Sequence, residues 1–65
     1  MNNYAEYVKI ILHKNTDMDE LENHLFMNGY DIGIDRKRKF LFPSFDELAY
    51  VETILEDRNI IYLVV

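Results

Sequence analysis

Glu20 and His24 stand four residues apart, a spacing that sets a carboxylate and an imidazole on one helix face, where they could begin a metal site. Two ligands do not complete one. The other histidine, His13, lies in an alternating apolar stretch with no evident convergence on that pair, and the chain has no cysteine to add a thiolate. Nucleophilic chemistry has as little to work with. Ser44 is the only serine, and Ser44-Phe45-Asp46-Glu47 is a capping-box sequence that accounts for it. Gly29 and Gly33 are the only glycines, so no phosphate-cradling loop exists. A chain of 65 residues also has little volume for a pocket that excludes water. The sequence reads as a non-enzyme with no cofactor.

What these residues can do is present charge. Nine of the twelve carboxylates fall in two short stretches: Asp17, Asp19, Glu20 and Glu22 in the first, and Asp46, Glu47, Glu52, Glu56 and Asp57 in the second. The only base in either is Arg58, at the end of the second. Glu52 and Glu56 are a like-charge pair at i,i+4 with no lysine answering them, although a Glu–Lys pair there would gain roughly 0.2–0.5 kcal/mol. Glu56 and Asp57 stand at the negative end of a helix dipole, where carboxylates are disfavoured. Each violation costs little, and together they keep a surface negative where a neutral one was easy to make; such breaches often mark a functional surface. A solvated helix face is the plainer explanation of the same residues.

Two helices must position these charges. Val8, Ile10 and Leu12 alternate with Tyr7, Lys9, Ile11 and His13, predicting a strand over residues 4–13. Thr16 or Asp17 then caps a helix with Met18, Leu21 and Leu25 on one face, and Asn28-Gly29 ends it. Tyr30, Ile32 and Ile34 form a strand, Asp35 to Lys39 a turn, and Phe40 to Phe42 the return, closed by Pro43. A second helix spans residues 45–58 with Leu48, Val51, Ile54 and Leu55 as its apolar stripe, and Asn59 suits a left-handed end. Ile60 to Val65 is an uncharged final strand.

That order, with right-handed crossovers, puts both helices on one side of a four-stranded antiparallel sheet. The expected fold is α+β, a β-α-β-β-α-β ferredoxin-like two-layer sandwich, and residues 1–65 form one domain. Its predicted core is Val8, Ile10, Leu12, Leu21, Leu25, Leu48, Val51 and Leu55. Phe40 and Phe42 are expected to pack under the helices, leaving Tyr7, Ile11, Leu41 and Tyr62 on the open face. An apolar fraction of 49% argues against disorder despite a net charge of −5. The absence of cysteine, of a signal-like N-terminus and of any long apolar run points to a cytoplasmic chain outside the membrane.

Two other surfaces deserve weighing. The run Arg36, Lys37, Arg38, Lys39 could touch nucleic acid, but four bases in an acidic chain make a weak phosphate footprint. The third strand lacks the glycine that RNA-recognition domains carry after their basic residue. The last strand is an uncharged sheet edge, a template for pairing, so homodimerisation or assembly through the edge or the open sheet face is one alternative function. A small regulatory nucleic-acid binder using the basic hairpin is another.

In size, in acidity and in lacking any catalytic motif, the chain resembles the small bacteriophage host-takeover proteins that mimic DNA, among them inhibitors of histone-like nucleoid proteins. The residues bearing this resemblance are Asp17, Asp19, Glu20, Glu22, Asp46, Glu47, Glu52, Glu56 and Asp57. It implies an inhibitor that presents carboxylates in place of phosphates and occludes the DNA-binding surface of a basic host protein, without binding nucleic acid itself. The host cytoplasm is the compartment it implies. The basic turn departs from such a surface, and its proximity to the acidic face would count against the reading.

Overall fold

The structure, a computed structural model, describes residues 7–65. Its elements are β1 (Ile10–Leu12), α1 (Met18–Met27), β2 (Gly33–Asp35), β3 (Phe40–Phe42), α2 (Phe45–Asp57) and β4 (Tyr62–Val64). The strands form one antiparallel sheet in the order β2-β3-β1-β4, the ferredoxin-like arrangement expected. β1 is shorter than the predicted 4–13 strand. Beyond its N-terminal end, Val8 still donates to the Pro43 carbonyl at 3.0 Å and Tyr7 bridges Ser44, while residues 4–6 of that prediction lie outside the described residues.

Both helices end in the same way. Gly29, at φ 85°, and Asn59, at φ 58°, take the left-handed conformation past the last turn. The following amide then reaches back five residues: Tyr30 to the Leu25 carbonyl at 3.0 Å, and Ile60 to the Leu55 carbonyl at 2.9 Å. These are Schellman closures, which satisfy carbonyls the helix leaves orphaned. Both Tyr30 and Ile60 pack against the core, so each closure also fixes the angle at which the chain leaves the helix.

The core is Ile10, Leu12, Met18, Leu21, Leu25, Leu41, Val51 and Leu55, all from the inner faces of β1, β3 and the two helices. Two expectations need correction. Val8 is half-buried and Leu48 packs at the core margin, while Met18 and Leu41 fill the centre. The parity of β3 is also opposite to that expected. Ile10 pairs with Leu41, and directly opposed residues of an antiparallel pair project to the same face, so burying Ile10 buries Leu41. Phe40 and Phe42 therefore lie on the open face, where Lys9 Nζ sits 4.9 Å from the Phe40 ring centroid. By the same rule Leu12 opposite Tyr62 draws Tyr62 to the helical side, not the open face.

Candidate acidic docking surface

The nine carboxylates sit on the helical layer but meet different fates. In α1, the Asp17 side chain is the N-cap, accepting from the Glu20 amide at 3.2 Å. Asp19 and Glu22 both bind Arg36, which reaches over from the β2–β3 turn; its Nη1 donates to Glu22 Oε2 at 2.7 Å. Those bonds hold the Arg36 pKa above its ordinary value, the Asp19 hydrogen bond first and the Glu22 charge next. Glu20 is bound by Arg58, the C-cap of α2. Among the described residues, no carboxylate on α1 stands without a hydrogen-bonding partner.

Arg58 also settles what Glu20 and His24 do together. Its Nε donates to Glu20 Oε1 at 3.1 Å, and its Nη1 lies 3.1 Å from His24 Nδ1. The face that could have taken a metal instead takes a guanidinium and ties α1 to α2. Among the described residues, no group of three or more His, Asp or Glu is arranged to hold a metal ion. Beside this pair runs a groove of about 610 Å³, between the β1–α1 and α2–β4 connections, which His13, Asp17, Glu20, Asp57 and Arg58 help to line. His13 Nδ1 is occupied by the Asn15 amide at 3.1 Å.

In α2, Glu47 completes the capping box, its carboxylate accepting from the Ser44 amide at 3.1 Å and the Ser44 hydroxyl at 3.0 Å. Glu52 and Glu56 converge on one partner: the Tyr62 hydroxyl lies 2.7 Å from Glu52 Oε1 and 2.7 Å from Glu56 Oε2. This raises the Tyr62 pKa well above its ordinary value, chiefly through the hydrogen bond to Glu52 and then that to Glu56. A phenol has one proton, so it can donate to only one of these oxygens at a time. Asp46 and Asp57 are exposed at opposite ends of the helix. Among the described residues, none of the α2 carboxylates is in a salt bridge.

The basic run is largely engaged within the fold. Besides the Arg36 contacts, Arg38 pairs with Asp35 at 3.6 Å, and Lys39 Nζ donates to the Thr16 carbonyl at 2.6 Å. The turn thus lies against the acidic α1, the arrangement that counts against reading the helical layer, α1 above all, as a DNA-like face. Arg36, Arg58 and Tyr62 are the partners that sequence reasoning missed. Arg58 had only its end-of-helix position to betray it, and the other two depended on hairpin geometry and strand parity.

No protein-family model, curated protein or solved structure matches this chain. Among the described residues no helix is long and apolar enough to cross a membrane.

Proposed function

We propose that this protein is an acidic protein-binding inhibitor that docks its helical layer onto the basic, DNA-contacting surface of another protein and so keeps DNA away. The observation that carries the reading is the division of charge between the helices. Arginine answers three of the four carboxylates of α1, whereas Asp46, Glu52, Glu56 and Asp57 of α2 have no cationic partner among the described residues. The interface is therefore centred on α2, with Asp17, Asp19, Glu20 and Glu22 contributing a weaker, partly neutralised flank. A surface of this kind attracts basic partners through its long-range field and needs no pocket. Association driven this way is fast and weakens steeply with salt.

The test is a titration against histone-like nucleoid proteins with labelled duplex DNA as competitor. Reversing Glu52, Glu56 and Asp57 to lysine should lower affinity more than tenfold, which is about 1.4 kcal/mol. Reversing Lys37, an exposed residue of the turn, should change it little. Unchanged binding in the helix variant, or loss only in the Lys37 variant, would move the site to the basic turn and end the mimic reading.

A further inference from the structure

β4 lies at the end of the sheet, where its outer edge is unpaired among the described residues. Ile60 to Val65 contains no charged side chain, no proline and no bulge, three of the devices that blunt an edge strand. The His13 amide donates to the Ile61 carbonyl at 2.9 Å and the Val65 amide to the Lys9 carbonyl at 2.8 Å, so alternate residues of β4 spend their backbone groups on the β1 side. By that alternation the N–H and C=O of Tyr62 and Val64 point away from the sheet. Among the described residues no strand pairs with them there. On the open-face side of this edge, Ile61, Leu63 and Val65 are 69%, 62% and 64% exposed. On the helical side stand Tyr62 and the two carboxylates it serves.

That pair has no cationic partner among the described residues. Glu52 Oε1 and Glu56 Oε2 each lie 2.7 Å from a hydroxyl with a single proton, so at any moment one of them takes its donor from solvent. An incoming ammonium or guanidinium would replace that solvent donor and bring the compensating charge the pair lacks.

We propose that β4 accepts an extended segment of the partner protein as a fifth strand. Backbone hydrogen bonds form to Tyr62 and Val64, a lysine or arginine reaches Glu52 and Glu56, and alternate apolar residues cover Leu63 and its neighbours. Strand addition uses the main chain for affinity and alternate side chains for selectivity. The occupant is a basic segment and not a second copy. A two-fold pairing of β4 with β4 would turn two Glu52–Glu56 rows toward each other, in chains that each carry a net charge of −5. The proposal rests on the reading that the partner is basic, and adds how that partner is gripped.

A synthetic peptide of alternating lysine and valine is a direct probe. On titration, hydrogen exchange at the Tyr62 and Val64 amides should slow by more than tenfold, while exposed amides of the β2–β3 turn stay unchanged. Methylating the peptide nitrogens that face β4 should weaken binding more than tenfold, and methylating the alternate nitrogens should not. Glu52→Gln with Glu56→Gln should weaken it comparably. Peptide binding without protection of Tyr62 and Val64 overturns strand addition, as does indifference to which nitrogens are methylated. So does protection of these amides that rises with protein concentration in the absence of peptide, which would assign the edge to a second copy. Neither result bears on the acidic reading, which stands or falls separately on whether the intact basic protein loses affinity for the lysine-reversed helix.

Discussion

Tyr62 is the residue on which the acidic helix and the sheet edge meet, and its hydroxyl separates two carboxylates that would otherwise only repel. Removing that hydroxyl by Tyr62→Phe should cost about 1 kcal/mol, the usual net value of such a bond, read as a lower denaturation midpoint. The pH dependence follows from the direction of its shift. The fold raises this pKa above the unfolded value near 10, so the folded state favours the protonated phenol. The stabilisation is then complete below about pH 10 and is lost as pH climbs through the higher, folded value. Phenolate absorbance should show one tyrosine resisting ionisation in the native protein, and ionising in the ordinary range in the Glu52→Gln/Glu56→Gln variant. A second residue-scale contrast lies at the helix ends. Gly29 takes φ 85° without penalty, whereas Asn59 takes φ 58° with a β-carbon. Gly29→Ala should destabilise by about 1 kcal/mol although nothing crowds the new methyl, and Asn59→Gly should be neutral or slightly stabilising. Equal melting temperatures for wild type and Gly29→Ala would show that the first closure contributes nothing.

The elements were legible from the sequence wherever one signal dominated. Helical spacing marked Met18, Leu21 and Leu25, a capping box opened α2, and Asn28-Gly29 and Asn59 marked where the helices stop. The equivalence of the two halves, by contrast, hides in residue types that mostly differ. Met18, Leu21, Leu25, Gly29 and Tyr30 match Leu48, Val51, Leu55, Asn59 and Ile60 at a constant offset, five positions with one identity, Leu25 and Leu55. Strand β3 was illegible for another reason. Phe40-Leu41-Phe42 is apolar throughout, so periodicity cannot choose its inner face, and register makes the choice through the Arg36–Lys39 turn and the left-handed Lys39 at φ 62°. That correction can be tested. Leu41→Ala should cost about 2–4 kcal/mol, much of the stability of a chain this small, and Leu25→Ala a similar amount. Phe40→Ala and Phe42→Ala should each cost less than Leu41→Ala despite deleting a larger side chain, because both rings are only partly covered. A more damaging Phe42→Ala would restore the opposite parity.

Across the whole molecule, counting carboxylates located the negative layer but could not see what crosses it. Arg36 is 14 residues from Glu22 along the chain, and only the β2–β3 hairpin lying against α1 brings the two into contact. The net charge of −5 is therefore unevenly spent, with α1 held to the sheet and to α2 by arginines and α2 left to face solvent. This division separates two roles that a uniform acidic face would merge. Arg58 is largely covered and grips both Glu20 and His24, so Arg58→Gln should lower stability by about 1 kcal/mol by loosening the two helices. Arg36 is exposed, and an exposed bridge contributes little to folding, so Arg36→Gln should leave the melting temperature nearly unchanged. Its effect should appear in binding instead. The substitution adds one unit of negative charge and releases Asp19 and Glu22, extending the field of α2 across α1. Association with a basic DNA-binding protein should then quicken at low salt, and the gain should vanish as added salt shortens the Debye length toward 3 Å, the value near 1 M. Weaker binding by Arg36→Gln at low salt would mean that the cationic turn itself touches the partner, and the acidic helix could no longer be the face that docks.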